Sequence, residues 1–121
     1  MANTYKVVTF PNVAVDSGTF TTLYTVAGST TTVILGLALC NKIASDRTVT
    51  VKIASDTANR TAANNAANES VTLLNEVTIP ADTTLEVLAG QKYVLETTDV
   101  MTIGASVGTS IDATLSIMEI T

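Results

Sequence analysis

The chain has 121 residues, enough for one domain with a core of its own. Thr, Val and Ile supply 45 of them, and these residues fit pleated strands better than helices. The formal charge is −5, with six scattered basic residues and few aromatics, which excludes the basic groove or stacking platform of a nucleic-acid binder and disfavours an anionic membrane surface.

Taken in order, Thr4–Phe10 reads as a first strand, broken at Pro11-Asn12. Val13–Val15 leads to a turn cluster at Asp16-Ser17-Gly18, then to a strand over Phe20–Val26 with Phe20, Tyr24 and Val26 on one face. Thr31–Asn41 is the most apolar stretch. Strict alternation puts Val33, Leu35, Leu37 and Leu39 on one face and Ile34, Gly36, Ala38 and Cys40 on the other. A strand apolar on both faces lies between two layers or has one face covered by another subunit; a helix over ILGLALC is the competing reading. Arg47–Ser55 alternates cleanly, with Val49, Val51 and Ile53 inward.

Residues 56–69, DTANRTAANNAANE, carry no apolar stripe and read as a long polar loop, either simply solvated or a contact arm to a neighbouring subunit. Asn59, Arg60, Asn64 and Asn65 are its candidate contact residues. A strand over Val71–Ile79 follows. Leu85–Leu88 and Tyr93–Thr97, joined at Ala89-Gly90, read as a hairpin whose arms enter the core through Val87, Tyr93 or Val94, and Leu95. Met101–Val107 is the next strand, with Gly104 as an expected bulge or point of close approach. In the last strand, Ile111–Ile120, residues Ile111, Ala113, Leu115 and Ile117 face one way and Met118 and Ile120 the other. Eight to nine short strands with a turn every 8–12 residues predict an all-β, single-domain antiparallel sandwich, jelly-roll or Ig-like, spanning residues 1–121.

The chemistry available is limited. Without histidine there is no Ser-His-Asp or Cys-His catalysis and no His-ligated metal. One cysteine, Cys40, forms neither an intrachain disulfide nor a Cys-rich zinc site, and reads as a small buried hydrophobe. No phosphate-binding glycine loop occurs. The acidic residues fall mostly in turns, and Asp16, Asp56 and Asp99 lack calcium-loop spacing. No catalytic residue, cofactor or metal is expected. The start, MANTYKVVTF, lacks the marks of a signal peptide, and no apolar run is long enough to span a bilayer. One surplus stands out: Ile34, Ala38, Cys40, Met118 and Ile120 occupy faces that a lone sandwich gives to water, which makes Ile34, Ala38, Met118 and Ile120 candidate partner contacts.

Four segments resemble a family of small virion structural proteins of tailed bacteriophages: the start MANT, FTTLYTVAGSTTTVILGLALCN, VTIPADTTLEVLAGQKYVLETTD, and the end SIDATLSIMEIT. The likeness covers nearly the whole chain in order. It departs at Asp82 and Thr98, where the family pattern carries glycine, which points to altered backbone at both turns. The resemblance implies a non-enzymatic module on a phage particle, made in the host cytoplasm. The leading expectation is a capsid decoration (cement) protein that self-associates, as a trimer by preference, and binds the major capsid protein. A low-copy tail, neck or fibre module and a carbohydrate- or receptor-binding module are the alternatives.

Overall fold

The computed structural model describes residues 2–15, 20–60 and 67–121. Asp16-Ser17-Gly18 and loop residues Asn64 and Asn65 lie outside these. Nine strands form among the described residues: β1 (Asn3–Phe10), β2 (Thr21–Thr25), β3 (Thr31–Asn41), β4 (Arg47–Ala54), β5 (Val71–Ile79), β6 (Thr84–Glu86), β7 (Tyr93–Leu95), β8 (Val100–Ala105) and β9 (Ile111–Ile120). They make two sheets. One runs β1-β9-β3 with β6 and β7 both on the far side of β3; the other runs β2-β8-β4-β5. All of these pairings are antiparallel. With β6 and β7 counted as one interrupted strand, this is the eight-stranded jelly-roll order, an all-β sandwich as the composition implies.

The core lies between the sheets. Ile34, Leu37, Leu39, Ile111, Leu115 and Ile117 of one sheet meet Val49, Val51, Met101 and Ile103 of the other, all fully or almost fully buried. The hydrophobic side is the one that alternation selects in β4, β8 and β9, but bulges break it elsewhere. Leu23 is buried in β2, outside the expected Phe20, Tyr24 and Val26 face, Val71 of the expected β5 face is exposed, and β3 is the largest exception. In β3, Ile34 pairs with Ile117 but Gly36 pairs with Ser116, so Leu35 is an extra residue in the ladder. Inward positions are therefore even before the bulge (Thr32, Ile34) and odd after it (Leu37, Leu39, Asn41). This corrects the single-face reading of β3. Ile34 belongs to the chain's own core, and Val33 turns outward. The bulge expected at Gly104 is absent: Gly104 pairs with Thr50 in unbroken register.

The expected hairpin is also corrected. Leu85 pairs with Leu39 and Val94 with Val33, both antiparallel to β3, so β6 and β7 run in the same direction along one edge. Between them the chain loops out through Leu88-Ala89-Gly90-Gln91, where Gln91 N–H donates to Leu88 O at 2.9 Å and both central residues have positive φ, the pattern of a type I′ turn. The turn chemistry was read correctly, but its flanks find β3 rather than each other. Leu95 enters the core, Val87 and Tyr93 pack against it, and Val94 faces water.

The two turns that depart from the family pattern keep left-handed backbone. Asp82 has φ 56° and Thr98 has φ 74°. Each is the third residue of a turn closed by a main-chain hydrogen bond, Thr83 N–H to Pro80 O and Asp99 N–H to Glu96 O. Asp tolerates this region; a β-branched Thr does so only under strain of about 1–2 kcal/mol. Thr98 is exposed. Thr98→Gly is therefore expected to raise stability by about 0.5–1 kcal/mol, the relieved strain less the added chain entropy. Asp82→Gly should change it less. Chemical denaturation of both variants checks the order.

Candidate functional site

Antiparallel register places cross-strand partners on one face, so the outer surface of the five-stranded sheet can be read row by row. One row is Tyr5, Met118, Val33 and Val94. Beside it lie Asn3, Ile120 and Thr31 on one flank and Val7, Ser116 and Gly36 on the other. Tyr5, Val7 and Val94 are 72%, 63% and 62% exposed, and Val33, Met118 and Ile120 are half-buried. With strands about 4.8 Å apart, the apolar patch covers roughly 300 Å². That is within the range of the largest patch on an ordinary monomer, and such patches are often functional.

The opposite end of the same face is polar. Ala38 shares a row with Thr9, Thr114 and Glu86, and Cys40 one with Asp112 and Thr84. Cys40 is thus half-buried on the outer face, the side its alternation with Leu37 and Leu39 selects, and is not a core residue. Asp112 accepts a hydrogen bond from Asn12 N–H at 3.0 Å and pairs with Lys42 at 3.1 Å; these hold its carboxyl below the usual range.

The structure therefore sorts the sequence-derived candidates. Met118 and Ile120 sit together in the apolar patch. Ala38 is on the same face but four residues along the ladder, about 13 Å away. Ile34 is in the core. Tyr5, Val7, Val33 and Val94 are the additions; the first two were visible as the alternate positions of the first strand.

Asn59 and Arg60 lie elsewhere, at the base of the long loop, in an open groove of about 720 Å³ walled by Ile53, Val71, Tyr93 and Glu96. Asn59 donates to Glu96 at 2.8 Å and Arg60 pairs with Glu69 at 2.7 Å. Asn68 N–H donates to Thr57 O at 2.8 Å, closing the loop's base. Asp99 Oδ2 accepts from Glu96 N–H. Asn59, Arg60, Glu69, Glu96 and Asp99 of the groove thus have partners among the described residues. Among the described residues, no three acidic or thiol groups converge as they would around a metal. Val94 lines this groove and also ends the apolar row, so the two surfaces meet there.

A third polar group seals the core below the patch. Glu119 pairs with Lys6 at 2.7 Å and accepts from Tyr24 Oη at 2.6 Å, while Tyr24 Oη also bonds Thr32 Oγ1 at 2.8 Å. Tyr24 comes from β2, so this cluster ties the two sheets together. Lys6, then Tyr24, hold the Glu119 carboxyl below its usual value; burial and Glu119 push the Tyr24 phenol up. A carboxylate with a depressed folded pKa stabilises the fold above its unfolded pKa, and that stability is lost as pH falls through the folded value. Melting temperature should therefore fall on acidification below about pH 4.5, and Glu119→Gln should lower it at neutral pH while flattening the acid limb. A variant with the wild-type acid slope would show that Glu119 is not responsible.

The strand order and the outer face define an all-β jelly-roll sandwich with one exposed apolar sheet surface. No protein-family model matches the chain, and no curated protein sequence does. Solved structures do match by shape. A subunit of Bacillus endospore appendages, a family of disulfide-linked pili, superposes with TM-score 0.51 at 12% identity over 98% of this chain and 88% of that one. The VP2 chain of an infectious bursal disease virus subviral particle gives TM-score 0.50 at 10% identity, and a Gx-strain structure of the same virus gives 0.51 at 10%. Each viral match covers 97% of this chain but 32% of the viral one, so this chain spans about a third of their length. At these identities the likeness establishes the fold.

Proposed function

We propose that this chain is a non-enzymatic structural protein of a bacteriophage virion, a capsid decoration (cement) protein that self-associates and binds the major capsid protein. The observation that carries the reading is the apolar outer face of the five-stranded sheet, centred on Met118 and Val33. The family resemblance of the sequence supplies the phage setting, and the jelly roll shared with a capsid chain and a pilus subunit suits an assembly module. A pilus linked subunit to subunit by disulfides needs two thiols per copy, and these 121 residues hold only Cys40.

Magnitudes favour many weak contacts. Covering roughly 300 Å² of apolar surface is worth about 7 kcal/mol, whereas association alone costs about 4–15 kcal/mol. One such face binds poorly by itself, but contacts repeated over a lattice gain by effective concentration. The groove beside Asn59 and Arg60 favours the carbohydrate-binding alternative, although these two side chains are already paired with Glu96 and Glu69. Cryo-electron microscopy of whole particles tests the proposal. Hundreds of copies on the shell are expected; absence from the head, or a few copies at the tail or neck, overturns it in favour of the low-copy module.

A further inference from the structure

The four outer strands of the two sheets are not alike. An unprotected sheet edge invites another strand, and proteins blunt such edges with bulges, interruptions and charges. In β2, Thr22 pairs with Thr102 but Tyr24 with Met101, so Leu23 forms a bulge. In β5, Asn75 and Glu76 together stand opposite Thr50 alone, between the pairs Leu74–Val51 and Val77–Val49, and Glu76 has φ 48°. The β6/β7 edge is interrupted by the turn at Ala89-Gly90. β1 differs: all eight of its residues pair with β9 in unbroken register, and no described residue pairs with its other side.

The hydrogen-bond phase of that free side follows from one pair. Ala2 and Thr121 exchange both main-chain bonds. Along an unbroken antiparallel ladder, even residues of β1 therefore bond to β9, and Asn3, Tyr5, Val7 and Thr9 turn N–H and C=O outward. Lys6, the one charge on β1, does not guard the edge, because Glu119 of the same subunit neutralises it at 2.7 Å.

We infer that β1 is the strand through which a second copy of this chain adds to the five-stranded sheet, antiparallel about a two-fold axis beside Tyr5. This deepens the self-association proposed above. A closed ring of three needs two different surfaces on each copy, and the three other edges are blunted; an isologous contact needs β1 alone. Register follows from the outer face. Centring on Tyr5 sets Lys6 against Thr4 and Val7 against Asn3 of the second copy. It also extends the row Val94–Val33–Met118–Tyr5 directly into its equivalent. About six main-chain bonds over about 17 Å form a small interface, so the dimer is weak and reversible.

Sedimentation of the intact chain from micromolar to near-millimolar concentration tests this. A monomer–dimer equilibrium is expected. Val7→Pro removes an outward donor that β9 does not use and should weaken dimerisation at least about tenfold. Tyr5→Lys, which sets like charges across the axis, should do the same and decides the matter if the proline variant fails to fold. A chain that stays monomeric, forms a trimer, or dimerises equally well with both substitutions overturns the inference. Location on the particle is read separately by microscopy, so failure of one proposal is not failure of the other.

Discussion

Replacing Ile34 with alanine should cost the isolated subunit about 2–5 kcal/mol. Ile34 is fully buried, pairs with Ile117 across the ladder and lies in the central cluster. Removing three carbons from such a site loses their transfer free energy and leaves a cavity that rigid neighbours fill only in part. At roughly 4 °C per kcal/mol for a domain of this size, a loss of about 3 kcal/mol lowers the melting temperature by about 12 °C. Ile34→Val should cost about 0.5–1.5 kcal/mol, since most of the volume remains. Met118→Ala offers the contrast. Met118 is half-buried on the outer face, so its truncation should cost the subunit about 1 kcal/mol or less and act instead on assembly. If Ile34→Ala proved as mild as Met118→Ala in the purified protein, the bulge at Leu35 and the face assignment of β3 would both be wrong.

The second large effect is expected at Asn41. This side chain is fully buried at the end of β3. Its Nδ2 donates to Ser45 O at 2.9 Å, Ile79 O at 3.0 Å and Pro80 O at 3.3 Å, and its Oδ1 accepts from Ile43 N–H at 3.1 Å. One amide thus shapes the turn after β3 and joins it to the end of β5, in the opposite sheet. Asn41→Leu keeps the size but strands these groups. A buried orphaned polar group costs about 1–3 kcal/mol, and Ser45 and Pro80 can recover partners from water, so a total of about 3–4 kcal/mol is expected. Asn41→Asp should be worse at neutral pH, since it points a carboxylate at three carbonyl oxygens. Protonation restores a donor, so the aspartate variant should regain stability as pH falls, opposite in sign to the wild-type acid response. Denaturant titrations at two pH values separate these outcomes. Equal stability of all three chains at neutral pH would rule out the hub.

Period-two patterning made most of the fold legible. The inward sides of β4, β8 and β9 read directly because the extra residues of the bulges lie in their neighbours β5, β2 and β3 and leave their own alternation unbroken. Reading failed where register depends on something other than alternation. The Leu35 bulge reverses β3, and no residue in ILGLALC announces it: leucine on both sides of the slip looks the same. The Ala89-Gly90 turn was recognised, but a turn specifies only local backbone, and β3 offered both flanking segments a longer partner than either offered the other. Among the site residues, Met118 and Ile120 were found because they follow four clean inward positions. Val33 and Val94 were missed or misplaced because their orientation is set by those same two irregularities. Asn41 was invisible as a hub, since its four partners come from segments that only the fold brings near.

The pairing of β1 with β9 has a consequence in time rather than in space. Asn3 meets Ile120, so the first strand's only described partner is more than a hundred residues away. Closing so long a loop is entropically slow, and chains dominated by such contacts fold in milliseconds to seconds rather than microseconds. During synthesis β1 must wait, unpaired on both sides, until β9 has been made. The sheet of β2, β8, β4 and β5 can gather first, but the five-stranded sheet and its apolar face come into being last. A half-finished chain therefore presents no assembled apolar face, and the association proposed through it must await completion of the fold.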